Sequence, residues 1–178
     1  MDDASLDDGG PEVDAPTVNA FDSARFRQVL GHFPTGVTVV TAGTGRADRV
    51  GMAIGSFFSV SLEPPLVGFC AGHASSSWPR IRQSGRFCVN VLAGNQEGVS
   101  RAFSSKAPDK FEGLGFKPAP FSGAPLLEGV LAWLDCELEA VHAAGDHDLA
   151  IARVHDLSVG REDSPLVFFR GGYAELDR

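Results

Sequence analysis

The chain has 178 residues, 43% hydrophobic and 21% charged, a globular composition long enough for one domain with a full core. Its formal net charge of −8, from 15 Lys and Arg against 23 Asp and Glu, leaves no basic excess to neutralise phosphates, which argues against a nucleic-acid binder. No apolar run approaches the ~18 residues of a membrane span, and the N-terminus lacks the basic start and apolar core of a signal peptide, so no membrane association and a cytoplasmic setting are expected.

Six of the acids (Asp2, Asp3, Asp7, Asp8, Glu12, Asp14) fall in residues 1–20, which contain no base and no apolar period. That stretch reads as a disordered acidic tail, and residues 21–178 as the folded domain. Phe26, Val29, Leu30 and Phe33 lie on one face of a helix, with Asp22 or Ser23 available as N-cap and Gly31 and Pro34 near its end. The β-branched run Gly36–Ala42 then predicts a strand, and Gly43–Asp48 the turn of a hairpin. Gly51–Phe57 reads as a glycine-rich loop leading to a strand over Ser59–Leu62. Strands follow at Leu66–Ala71 and Phe87–Leu92, separated by a short helix within Ser75–Gly85 that Ser76 or Ser77 would cap. Asn95–Phe103 and Pro108–Leu114 read as two further helical pieces. Leu134, Cys136, Leu138 and Ala140 alternate with Asp135, Glu137 and Glu139, predicting a strand with one wet face. Leu149–Val159 and Pro165–Arg170 complete a mainly β chain. Many short strands with brief helices favour an antiparallel barrel over a doubly wound sheet.

Several kinds of chemistry are poorly supported. The single GxG, Gly43-Thr-Gly45, lacks a third glycine and a following helix, and there is no G-K-[ST]. His32, His73, His142, His147 and His155 form no H-E-x-x-H, and Cys70, Cys88 and Cys136 have no zinc spacing, so no metal is expected. Cysteines odd in number and far apart suit buried thiols in a reducing compartment. Gly51–Phe57 has small residues that would admit a planar ring to the backbone, although a tight barrel corner needs the same composition. Ser75-Ser76-Ser77 at a helix start suits a phosphate, where ordinary capping needs only one serine. His147, beside Asp146, is a titratable imidazole in a turn. Arg170-Gly-Gly-Tyr173 offers a cation and an aromatic ring, or simply a chain reversal.

In this order, Phe26–Thr41, Ser56–Val67, Ser75–Ile81, Ser84–Leu92, Asp109–Phe111, Gly123–Leu127, Gly145–His147 and Pro165–Tyr173 match a known pattern. The chain resembles the flavin reductase components of two-component flavin-dependent monooxygenases, proteins with a split-barrel flavin-binding fold. The resemblance implies an NAD(P)H:flavin oxidoreductase that reduces FMN or FAD with NADH or NADPH and supplies reduced flavin to a partner monooxygenase. It places Ala53, Ile54, Gly55, Ser56 and Phe57 against the isoalloxazine, and Ser75, Ser76 and Ser77 on the flavin phosphate, with Lys110 and Phe111 closing over the cofactor. His147, Arg170 and Tyr173 would face the nicotinamide nucleotide near Pro34, Thr35 and Gly36, His147 positioning the nicotinamide rather than acting as acid or base. It also implies a homodimer. One segment departs from the family pattern: Gly51-Met-Ala-Ile-Gly-Ser-Phe57 replaces Gly-Met-Thr-Ala-Ser/Asn-Ser-Phe. Ala53 cannot donate a hydroxyl hydrogen bond, which at ~0.5–1.5 kcal/mol per lost bond points to weaker, releasable flavin. Two rival readings are a barrel that keeps its flavin and oxidises a small molecule, and a non-enzymatic flavin-binding module.

Overall fold

A computed structural model describes residues 21–176; the acidic segment 1–20 lies outside the described residues. The chain order is α1 (Ser23–Leu30), β1 (Thr35–Gly36), β2 (Thr38–Ala42), β3 (Val50–Ile54), β4 (Phe58–Ser61), β5 (Leu66–Gly72), α2 (Trp78–Ser84), β6 (Arg86–Val91) and a 3-10 turn (Gly94–Gln96). It continues through α3 (Glu97–Ser104), β7 (Phe116–Pro118), β8 (Pro125–Leu127), β9 (Ala132–Ala144), β10 (His147–Val159), β11 (Leu166–Phe169) and β12 (Gly172–Glu175). Seven strands form the main sheet in the order β3-β2-β6-β9-β10-β5-β4, every pair antiparallel, and β1-β11-β12 form a second small sheet. The sheet wraps around one apolar core: Val40, Met52, Phe69, Phe87, Ala150 and the α2 residues Trp78 and Ile81 meet inside it. Phe69 makes edge-to-face contacts with both Trp78 and Phe87, at 5.7 Å each. Among the described residues β3 and β4 are the outermost strands of this sheet, the open seam of a split barrel.

The β-branched run near residue 38 is buried on both sides, because β2 also packs against a second core of Val39, Leu92, Phe103, Phe111, Leu126 and Leu166. The predicted single strand from Gly36 divides at Val37. Its N–H donates to Leu166 O, Leu92 N–H donates to Val37 O, and Leu166 N–H donates to Leu92 O, so the chain crosses there from the small sheet to the large one. Asn90 is fully buried and fixes β8 onto this layer, its amide donating to Val39 O and Thr41 Oγ1 and its carbonyl accepting from Leu127 N–H.

Four local expectations need correction. Gly51–Ile54 is strand, not loop, since it pairs residue for residue with β2. Pro108–Leu114 is a turn held by the Asp109 carboxylate, which accepts from Phe111 N–H at 2.9 Å, and not a helix. Asp135 does not face water: it is fully buried and accepts from Phe121 and Ser122 N–H. Its face is covered rather than wet: Asp135 pairs with Cys88, part of the second core, and the Phe121–Ser122 segment lies against its carboxylate. Finally, α2 is capped neither by Ser76 nor by Ser77; Ser75 Oγ lies 3.3 Å from both Ser77 N and Trp78 N and accepts from them.

Candidate flavin and nicotinamide clefts

Strand β3 joins two openings. At its N-terminal end a cleft of about 440 Å3 is bounded by Gly51, by Ser76 and Ser77, by Arg46, Arg49 and Arg80, and by Asp109, Lys110 and Phe111. At its C-terminal end a smaller one of about 270 Å3 is bounded by Ala53, Ile54 and Gly55 together with Ser100, Ser104, Phe168 and Tyr173. Helix α3 roofs the strand between them, its Phe103 lying directly on Gly51.

The first cleft is cationic by construction. Lys110 Nζ donates to Gly51 O (3.3 Å) and Phe103 O (3.0 Å), and its third proton reaches Ser77 Oγ at 3.3 Å. Partial burial holds the ammonium below its ordinary pKa. Arg80 ties α2 to the β2–β3 loop through the carbonyls of Ala47, Asp48 and Arg49. Arg49 pairs with Asp109 at 2.7 Å and lies 5.0 Å over the Phe111 ring. One carboxylate against three arginines and a lysine leaves a net positive rim, the donor set that a phosphate requires.

Of the residues expected at the flavin phosphate, Ser76, Ser77, Lys110 and Phe111 share this cleft. Ser75 instead serves the backbone as the α2 cap. Phe111 is 4% exposed and packs edge-on against Phe103 at 4.9 Å, in the wall of the cleft. Residues missed by sequence reasoning are Arg46, Arg49 and Arg80. Arg80 lies one helical turn after Ser77, a spacing that shares a face, whereas Arg46 reads only as turn material and Arg49 falls just beyond that turn.

Of the residues expected at the isoalloxazine, Ala53, Ile54 and Gly55 reach the second cleft. Ser56 is committed elsewhere: its Oγ exchanges hydrogen bonds with Cys70 N–H (2.9 Å) and Cys70 O (3.2 Å) and pins the β3–β4 turn to β5. Phe57 packs on the barrel core. Thr35 comes close to Gly55, where a Cβ would lie 3.1 Å from Thr35 Oγ1. Gly36 follows Thr35 in β1 and Pro34 precedes it, and neither bounds this cleft. Tyr173 stands across from Ala53, its hydroxyl hydrogen-bonded to Ser100 Oγ at 2.9 Å and its ring beneath Arg101.

Two expected partners are not brought to Tyr173. Arg170 and Gly171 form the two-residue turn between β11 and β12, with φ of 51° and 80°, the paired positive values that such a tight hairpin demands. Arg170 N–H donates to Gly31 O, so this turn docks on the end of α1. His147 is the first residue of β10, opposite Gly72, with Nδ1 2.7 Å from Asp146 Oδ1. That bond holds the Asp146 carboxyl below its usual range and leaves Nε2 over Gly72.

The Flavin reductase like domain family matches residues 30–177.

The chain belongs to that family.

A flavin reductase of Pseudomonas putida is 52% identical over 155 residues, covering 87% of this chain and 91% of that one. The reductase subunit of a flavin-dependent monooxygenase from Rhodococcus jostii is 48% identical, covering 92% and 83% respectively. Among solved structures, nitrilotriacetate monooxygenase component B from Mycobacterium thermoresistibile superposes with a TM-score of 0.82 at 45% identity, covering 86% of each chain. An NADH:FAD oxidoreductase of Streptomyces globisporus, in complex with NAD and FAD fragments, superposes with a TM-score of 0.84 at 35% identity, covering 92% of this chain and 98% of that one. This flavin reductase therefore has the mainly β split-barrel fold. Among the described residues it has no cluster of metal-ligating side chains and no helix long and apolar enough to cross a membrane. Its three cysteines are free, and burial pushes the Cys136 thiol up to about 12, far from a reactive thiolate.

Proposed function

We propose that this flavin reductase moves a hydride from NADH or NADPH to FMN or FAD and passes the reduced flavin to a partner monooxygenase component. The observation that carries the reading is the pairing of the two clefts along β3, one suited to a phosphate and the other to an apolar ring. When bound, the nicotinamide supplies the hydride and the flavin ring accepts it; both are the cofactors' own chemistry. The chain binds and orients. Ser77 Oγ and Lys110 Nζ face the flavin phosphate, while Ala53 and Gly55 leave β3 open to the ring. Tyr173, held by Ser100, walls the second cleft against water. No side chain acts as nucleophile, and His147 orients the nicotinamide through Nε2 while Asp146 fixes its tautomer. Ala53 offers the ring no hydroxyl, which suits a flavin that is released.

Anaerobic stopped-flow with NADH or NADPH and FMN, FAD or riboflavin tests this: flavin bleaching is expected, and its absence with every pair overturns the reading. His147→Ala is expected to raise the KM for the nicotinamide nucleotide several-fold while flavin affinity stays near wild type, since the side chain lines neither cleft of β3. Steady-state kinetics with each substrate varied in turn checks it.

We also infer a homodimer and a cytoplasmic setting. Three free cysteines fit a reducing compartment. Helix α1 buries no residue, and Phe26, Val29, Leu30 and Phe33 are 51%, 60%, 51% and 72% exposed, more apolar surface than a monomer usually leaves wet. Light scattering is expected to return twice the 18.8 kDa chain mass, and a Leu30→Asp/Phe33→Asp double variant to return one.

A further inference from the structure

The Ser75–Ser77 loop hangs between β5 and α2, and a single carboxylate holds both of its ends. Asp148, the second residue of β10, is 8% exposed. Its Oδ1 accepts from His73 Nε2 at 3.0 Å, on the β5 side of the loop. Its Oδ2 accepts from Trp78 Nε1 at 2.8 Å, the first residue of α2, and a longer 3.4 Å contact comes from Arg82. One residue pair away, His73 N–H donates to Asp146 O at 3.0 Å. The indole and imidazole bonds keep the Asp148 carboxyl below the usual range, so it is an acceptor at both oxygens at neutral pH.

We propose that Asp148 is a positioning residue for flavin phosphate binding: by clasping His73 and Trp78 it sets the span and orientation of the loop that presents Ser76 and Ser77 to Lys110. The inference rests on the reading of that cleft as the phosphate site. The geometry favours it over a role in general stability for a specific reason. β10 already pairs with β5 and β9 through its backbone, Asp148 with Ala71 and Ala143, so the strand does not need the carboxylate to stay in register. What the carboxylate adds is a tie across the four residues between His73 and Trp78. Ser77 is buried at the end of that tie, with its Oγ 3.3 Å from Lys110 Nζ. A loop left free to wander would pay ordering entropy each time a phosphate bound.

Asp148→Asn keeps the shape, removes the charge and replaces one acceptor by a donor, so that Trp78 Nε1 and a His73 Nε2–H can no longer both be accepted by a carboxylate. The test is equilibrium titration of the full-length protein with oxidised FMN and with riboflavin, which lacks the phosphate, without nicotinamide; thermal melting of each variant is followed in parallel. In the variant the Kd for FMN is expected to rise ~10-fold, the scale of a lost hydrogen bond to a charged group, with riboflavin changed less than about twofold. Trp78→Phe, which keeps a ring but loses the donor, is expected to share the pattern, as is His73→Ala. His73→Gln, whose amide can still reach Asp148, is expected to restore FMN affinity. Wild-type preference for FMN over riboflavin that survives unchanged in Asp148→Asn and Trp78→Phe overturns the proposal and leaves the phosphate cleft standing. Equal weakening of FMN and riboflavin overturns it in favour of a general structural role. A wild-type protein that binds the two flavins equally overturns the phosphate cleft itself, and the positioning role with it.

Discussion

Lys110→Met is expected to weaken FMN binding roughly 10- to 100-fold, the scale of a lost charge-assisted hydrogen bond, and to leave riboflavin binding nearly unchanged. The ammonium is held by two backbone carbonyls, Gly51 O from β3 and Phe103 O from α3, and these bonds leave its third proton directed at Ser77 Oγ in the cleft. Methionine fills the same volume without the donors, so wall and shape persist while the charge goes. Arg46, Arg49 and Arg80 keep the rim positive, which is why the expected loss is finite. A pH signature accompanies it. Burial lowers the Lys110 pKa from 10.5, so as pH rises the free enzyme loses this cation earlier than an exposed lysine would. The kcat/KM for FMN is therefore expected to fall on the alkaline side, and that for riboflavin to stay flat there. Lys110→Met should lack the alkaline limb. Titration and pH profiles with both flavins check the two statements separately, and a riboflavin profile with the same limb would exclude Lys110 as its origin.

The parts of this fold legible in the sequence are those governed by local rules. The apolar run at Leu66–Ala71 is strand β5, Gly85 ends α2 with a positive φ, and Asp22 caps α1 by accepting from Arg25 N–H. Where the reading failed, a long-range partner decided. Gly51–Ile54 has the composition of a loop, yet it pairs residue for residue with β2, and the missing side chain at Gly51 leaves room for the Phe103 ring of α3. Asp135 has the pattern of a wet face but caps the chain at Phe121 and Ser122, more than ten residues away. The site divides along the same line. Ser77, Lys110 and Ala53 occur in recognisable segments. The arginines of the cationic rim come from a hairpin turn and an outward helix face, and only the folded barrel brings them to one place. Arg170 shows the converse: a cation next to two glycines suggests a ligand, and the structure uses the residue in a tight turn.

Gly51→Ala carries the second large effect, and it joins stability to binding. A methyl group at this position would lie 2.7 Å from Phe103 Cδ1 and closer still to Cε1, with Val40 O at 3.2 Å on the other side. The ring has nowhere to retreat: Phe103 is 1% exposed and stands edge-on against Phe111, itself 4% exposed. Overpacking of this kind costs about 1–3 kcal/mol, which for a chain of this length lowers Tm by on the order of 3–10 °C. Moving α3 outward also draws Phe103 O away from Lys110 and shifts Ser100 and Ser104 at the second cleft, so FMN affinity should fall together with Tm. Phe103→Val, which has no δ or ε carbons, isolates the cause. If the clash is the source, Gly51→Ala costs little in the Phe103→Val background, giving a favourable coupling of about 1–3 kcal/mol in a double-mutant cycle. If the two losses simply add, the glycine is needed for backbone freedom rather than for the close approach of the ring. Backbone freedom is the weaker account, because Gly51 lies in a strand and, unlike Gly85 or Gly171, has no positive φ.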